Sequence, residues 1–150
     1  MSTFVCPAPA DTMALAGRLA ALLRPGDVIV LKGSLGAGKT LFTGGLAAGL
    51  GVEETVTSPT FILMREYRSG FLPLIHVDVY RLGSLNEFED LEVVERARDG
   101  VLVVEWGDAV ENGLPEDHLR VEIEVEEDGT RLVRLVPVGS WAGRSLELVG

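Results

Sequence analysis

The sequence predicts a single α/β domain with a central mixed, largely parallel sheet, flanked by helices and completed by β-hairpins. Three observations carry this expectation. Residues 27–32 (DVIVLK) are apolar at 28–31, lie between Gly26 and Gly33, and lead through a glycine-rich turn into a helical stretch. A continuous apolar run of that length reads as a buried parallel strand feeding its helix. Residues 101–104 (VLVV) form a second such run, and pairs of strand-like segments meet at Ser69-Gly70 and at Asp128-Gly129, which are hairpin signals.

In chain order, residues 3–6 are expected as a short edge strand, after which Pro7 and Pro9 break the chain. Asp11 or Thr12 can cap the next helix, where Leu15, Leu19, Leu22 and Leu23 form a stripe at i, i+4, i+7 and i+8. Pro25-Gly26 stops it before the first buried strand. A helix is expected over 39–50, although Gly44, Gly45 and Gly49 each weaken it by up to ~1 kcal/mol relative to Ala. Its stability must come from tertiary contacts, and the glycines permit close packing on the sheet. Residues 52–59 read as loop, 61–67 and 72–79 as paired strands, and 85–98 as an acidic helix. After the apolar strand at 101–104, residues 119–126 alternate apolar and acidic, and 132–138 return as the second hairpin. No repeat or linker divides the chain, so residues 1–150 are expected to form one domain.

With 47% hydrophobic residues, a chain of 150 has enough apolar surface for a real core. Its net charge of −10 repels phosphate backbones, so generic binding to nucleic acid or anionic membrane is disfavoured. A small anion held by a few dedicated groups is not. The charge is also uneven: residues 86–128 contain 16 acidic and 3 basic residues, and the remainder 10 basic and 7 acidic. The single Cys6 excludes an internal disulfide or a cysteine-based metal cluster. The opening residues lack the basic and apolar blocks of a signal peptide, and no run of 18 apolar residues occurs. A cytoplasmic location is therefore expected, with no membrane association.

The chemistry concentrates after the first buried strand. Gly33-Ser34-Leu35-Gly36-Ala37-Gly38-Lys39-Thr40 matches G-x-x-x-x-G-K-[ST] in a strand–loop–helix setting. Glycines let consecutive backbone N–H groups converge into an anion nest, and the following helix directs its N-terminal N–H groups at the same point. Lys39 supplies a charge for the β- and γ-phosphates of a nucleotide, and the Thr40 hydroxyl a ligand for Mg²⁺. Leu41 follows directly in the helix. Mg²⁺ also needs a carboxylate, usually at the end of an apolar strand; Asp78 and Glu105 both stand in that position. Thr57-Ser58-Pro59-Thr60 occupies the interval where a phosphate-sensing switch would lie, although an ordinary proline turn has the same composition. His76, Asp78 and Tyr80 share one strand face by alternation. Arg81 either stabilises a γ-phosphate or pairs with the acidic helix, and the pairing is favoured. The fold expectation thereby narrows to one P-loop NTPase domain.

Taken together, GSLGAGKT at 33–40, VTSPTF at 56–61, HVDVYRL at 76–82 and Glu105-Trp106 resemble one family. It is the bacterial TsaE (formerly YjeE) family of P-loop ATPases in tRNA threonylcarbamoyladenosine biosynthesis, and the likeness covers most of the chain. GSLGAGKT alone is generic; the ordered set at these spacings is specific. The resemblance implies an ATP-hydrolysing accessory protein using ATP/ADP and Mg²⁺. It would act with two protein partners, the threonylcarbamoyl-transferase catalytic subunit and its paralogue, and meet tRNA only indirectly. Carried over by position, it implies a catalytic acid at Asp78, Mg²⁺ ligands at Thr40 and Glu105, and a switch-loop role for Thr60. It also implies phosphate contact by Lys39, and nucleotide contact from Gly33 through Leu41 and near Thr12. The family commonly carries Pro after the Glu-Trp pair, where this chain has Gly107.

Rival functions are weaker. A GTPase needs an Asn-Lys-x-Asp segment, which is absent. A P-loop small-molecule or nucleotide kinase needs an Arg-rich lid, and residues 86–117 are acidic instead. A binding module with a degenerate pocket is opposed by the intact Lys39, Thr40, Asp78 and Glu105. The acidic segment reads either as a solvated face or as a contact surface for basic partner proteins.

Overall fold

The structure is a computed structural model, described here for residues 2–34, 36–56, 64–78, 92–105 and 115–146. Its strands are β1 (Ser2–Cys6), β2 (Val28–Gly33), β3 (Met64–Tyr67), β4 (Leu74–Asp78), β5 (Val101–Glu105), β6 (His118–Val125) and β7 (Arg131–Val138). The helices are α1 (Pro9–Ala20), α2 (Lys39–Gly49) and the single turn α3 (Val93–Arg96), and a 3-10 turn covers Gly139–Gly143. Among the described residues the strands form one mixed sheet in the order β1-β7-β6-β2-β5-β4-β3. β6, β2, β5 and β4 are parallel, and β1, β7 and β3 pair antiparallel at the two sides. The predicted α/β architecture with a largely parallel centre is what the chain adopts.

The apolar runs explain the layering. In β2, β4 and β5 alternate residues enter two different cores. Ile29, Leu31, Leu74, Val101 and Val103 pack with α1 and α2 on one face. Val28, Val30, Ile75, Val77, Leu102 and Val104 pack with Val93 and Ala97 at α3 on the other. Strands buried on both faces have no polar alternation, which is why their sequence is continuous. β6 is different: Leu119, Val121 and Ile123 enter the first core, while Arg120, Glu122 and Glu124 turn outward and make ion pairs, Arg120–Glu122 and Arg134–Glu124, each at 2.9 Å.

Two details differ from the sequence expectation. Helix α1 begins at Pro9, because a proline at the first helical position loses no hydrogen bond. Asp11 acts from within the first turn, its Oδ2 accepting from Ala8 N–H at 2.8 Å. Of the acidic helix expected over 85–98, residues 92–98 are described and only Val93–Arg96 are helical; residues 85–91 lie outside the described residues, as do 61–63 of the preceding strand.

The close packing expected on the sheet is on α1 instead, and Gly45 and Gly49 of α2 are the glycines that permit it. A Cβ at Gly45 would lie 2.7 Å from Met13 O and 2.8 Å from Ala16 Cβ, so only a glycine permits this approach. At the far end, Arg144 makes two hydrogen bonds to Asp27, at 2.6 and 2.8 Å, and stacks 3.9 Å from the Trp141 ring centre. This clasp fastens the segment after β7 to the start of β2. No helix among the described residues is long and apolar enough to cross a membrane.

Candidate functional site

Registry in the parallel sheet sets the site. Leu31 pairs with Glu105 and Glu105 with Asp78, so the carboxyl ends of β2, β5 and β4 are level. In an open parallel sheet that edge is where ligands bind. β2 runs out into the glycine-rich turn there, and α2 begins at Lys39 with Gly38 as its N-cap. Gly36 (φ 82°) and Gly38 (φ 109°) flank the buried Ala37 in left-handed conformations. Such alternation turns successive N–H groups toward one side, as an anion nest requires. The loop is closed internally by Ala37 N–H donating to Ser34 O at 3.0 Å. The helix dipole adds positive potential at the same place.

Lys39 is 5% exposed, and its Nζ donates to Gly33 O at 2.8 Å and Ser34 O at 2.9 Å. Burial pushes its pKa below the ordinary lysine value, and the negative charges of Glu105 and Asp78 oppose that shift. A desolvated cation at the start of this helix is suited to an anionic ligand. Thr40, next in the helix, is half-buried.

Asp78 and Glu105 are each 4% exposed, a degree of burial that carboxylates seldom reach unless paired. Strand alternation puts them on the α1/α2 face together with His76, the face from which α2 begins. Glu105 Oε2 lies 2.5 Å from His76 Nε2, and His76 is completely buried. The other ring nitrogen, Nδ1, has no hydrogen-bond partner among the described residues. At this separation one proton lies between the two groups and joins the ring to the carboxylate. His76 thus sits in the site cluster and is more than a packed strand residue.

The donor set fits Mg²⁺. Among the described residues, no three His, Cys, Asp or Glu side chains gather into a self-sufficient metal cage. Mg²⁺ characteristically takes one or two carboxylates plus phosphate oxygens and water, and a strand-end carboxylate with the Thr40 hydroxyl matches that need.

Beside the loop, an apolar cleft of about 460 Å³ is lined by Met13, Thr40, Leu41, Gly44, Val52 and Val56, among others. It adjoins the loop through Thr40 and Leu41 at the start of α2. Thr12 is fully buried in α1 and does not line this cleft; its neighbour Met13 does. The expectations for Leu35, Thr60 with the rest of the 57–60 switch, Tyr80, Arg81 and Trp106 lie outside the described residues.

One residue at the site escaped the sequence reading. Arg131, at the start of β7, donates from Nε to Ala37 O at 3.2 Å and from Nη2 to Gly36 O at 3.4 Å. It lies more than 90 positions from the loop, in a strand whose pattern gives no sign of it. The hairpin was legible, but its placement beside β2 was not.

Comparison with known proteins bears on this geometry. The family model described as "Threonylcarbamoyl adenosine biosynthesis protein TsaE" matches residues 6–133. A tRNA threonylcarbamoyladenosine biosynthesis protein TsaE from Bacillus subtilis is 45% identical over 133 residues, covering 88% of this chain and 83% of the relative. The protein of the same name from Streptomyces coelicolor is 52% identical over 113 residues, covering 73% of this chain and 76% of the relative. The crystal structure of Bacillus subtilis YdiB superposes with a TM-score of 0.82 at 38% identity, covering 98% of this chain and 93% of that one.

Proposed function

The chain belongs to the TsaE family, and we propose that it serves tRNA threonylcarbamoyladenosine biosynthesis as a Mg²⁺-dependent ATPase, with residues 1–150 acting as one P-loop ATPase domain. The observation that carries this reading is the convergence on one sheet edge of the glycine nest, the buried Lys39 and two buried carboxylates.

The residues divide the work. Backbone groups from Gly33 to Thr40, with Leu35 among them, cradle the phosphates, and Lys39 exchanges its bonds to Gly33 O and Ser34 O for phosphate oxygens. Leu41 and Met13 supply the apolar wall for the nucleoside; Thr12 supports that wall from the buried side of α1. Thr40 and Glu105 hold Mg²⁺, which when bound neutralises charge on the β- and γ-phosphates. Asp78 orients the attacking water as the catalytic acid–base group, and Thr60 in the switch segment senses the γ-phosphate. His76 fixes the Glu105 carboxylate, so the ligand is oriented before metal arrives.

Hydrolysis in the isolated chain is slow. The arginine described at the loop, Arg131, is tied through Nε, Nη1 and Nη2 to backbone carbonyls and is not placed as a finger on a transferring phosphoryl group. Turnover rises with the partners, the threonylcarbamoyl-transferase catalytic subunit and its paralogue, which handle tRNA directly. The acidic stretch at 86–128 is poorly suited to hold a polyanion itself. Nucleotide competition tests this reading: ATP and ADP should displace a bound adenine-nucleotide probe and GTP should not. Preference for GTP would overturn it.

A further inference from the structure

Arg131 joins the β6–β7 hairpin to the nucleotide loop. It pairs with Val125 across the hairpin and with Cys6 on β1, while β6 lies parallel to β2 with Ile123 opposite Gly33. The turn end of the hairpin therefore stands beside the point where the loop leaves the sheet. One guanidinium there makes three contacts: Nη1 to Gly129 O at 2.7 Å, Nε to Ala37 O at 3.2 Å and Nη2 to Gly36 O at 3.4 Å. The first anchors the side chain to its own turn, and Nε and Nη2 reach the loop.

The consequence follows from peptide geometry. In a trans peptide the C=O and N–H point in opposite directions. With Ala37 O drawn toward Arg131, the N–H of the same plane, that of Gly38, is directed away from the hairpin. The neighbouring Gly36–Ala37 plane is held at both ends, its oxygen by Arg131 and its N–H by Ser34 O. Gly38 has no side chain to fix its plane, and its φ of 109° is one that few other residues adopt. Glycine makes the nest accessible but does not hold it.

We propose that Arg131 is a positioning residue for the phosphate site: it clamps the Ala37–Gly38 peptide so that the Gly38 N–H is presented to the nucleotide phosphates, and adds positive charge behind the cradle without touching the ligand. This deepens the ATP-binding reading above and rests on it.

The test uses the full chain as wild type, Arg131→Met and Arg131→Lys. ADP affinity without Mg²⁺ is measured by calorimetry, the ligand-free melting temperature is recorded, and the Gly38 amide resonance is followed with and without ADP. Arg131→Met is expected to bind ADP about tenfold more weakly, as fits the loss of charged donors. It should melt within a few degrees of wild type and show a smaller ADP-induced displacement of the Gly38 amide. Arg131→Lys, which keeps the charge and one point of donation, should fall between the two. A side chain serving stability alone would lower the melting temperature and leave the Gly38 response intact.

Wild-type ADP affinity and a wild-type Gly38 response in Arg131→Met would overturn the clamp while leaving nucleotide binding standing. Failure of the wild type to bind ADP would overturn the nucleotide reading and the clamp with it. If Arg131→Met does not fold, Arg131→Lys decides: weaker ADP binding than wild type supports the clamp, and equal binding overturns it.

Discussion

His76 Nε2 lies 2.5 Å from Glu105 Oε2, joining the middle of β4 to the end of β5 through a buried pair. A histidine that donates to a metal-ligating carboxylate sets its direction, and losing such a partner typically weakens metal affinity about 10- to 100-fold. His76→Phe keeps a ring and removes the hydrogen bond. It should raise the Mg²⁺ concentration needed for half-maximal ATP binding about tenfold or more, with Mg²⁺-free ADP binding little changed. Equal Mg²⁺ requirements in the two proteins would show that Glu105 needs no such support.

Glu105 and Asp78 stand level on adjacent strands, yet the roles proposed for them differ. Glu105→Ala should weaken the Mg²⁺ dependence of nucleotide binding more than the binding itself. Asp78→Asn should spare both and reduce turnover. Titrating Mg²⁺ against each variant separates them: an unchanged Mg²⁺ dependence in Glu105→Ala would transfer the metal role to Asp78.

The α1–α2 contact makes a stability prediction of opposite sign at neighbouring positions. Gly45→Ala places a methyl 2.7 Å from Met13 O, and overpacking of this kind costs about 1–3 kcal/mol. At Gly44 nothing lies within 4 Å, so Gly44→Ala gains helix propensity of up to about 1 kcal/mol. In a domain of this size each kcal/mol moves the melting temperature by about 2–4 °C. Thermal melts should therefore fall for Gly45→Ala and rise for Gly44→Ala; a rise for both would deny the close approach of the helices.

Cys6 is 3% exposed, and burial, assisted by the charge of Asp11, pushes its thiol above the ordinary value of 9.0 against the opposing effects of Thr12 and Arg18. A raised thiol pKa keeps the sulfur protonated at neutral pH, and the reactive thiolate forms only at more alkaline pH. Iodoacetamide at pH 8 should therefore label native protein slowly and denatured protein fast. Rapid native labelling would place Cys6 outside the core.

Much of this was legible in the residues. The strand–turn–helix of the loop announces itself because the glycines, Lys39 and Thr40 must be consecutive, and β2 and β5 because burial on both faces removes their polar positions. The strand-end acids Asp78 and Glu105 followed from those strands. The His76–Glu105 contact did not, since alternation fixes the face of His76 but not the neighbouring strand. Arg131 was hidden for the same reason: its meaning depends on β6 lying beside β2, a pairing between segments some 90 residues apart. The start of α1 was misjudged because a proline that interrupts a helix elsewhere is accommodated at its first position.

The central claim is that a nucleotide held by this loop supports threonylcarbamoyl modification of tRNA. The direct measurement is reconstitution of tRNA modification with the partner pair and ATP, titrated with wild-type chain or with Lys39→Ala, while ATP hydrolysis is followed in the same reactions. The account predicts slow hydrolysis by the chain alone, stimulation by the partners, and repeated rounds of modification that Lys39→Ala fails to sustain despite a native fold. Full-speed hydrolysis by the isolated chain, or modification sustained equally by Lys39→Ala, would contradict it.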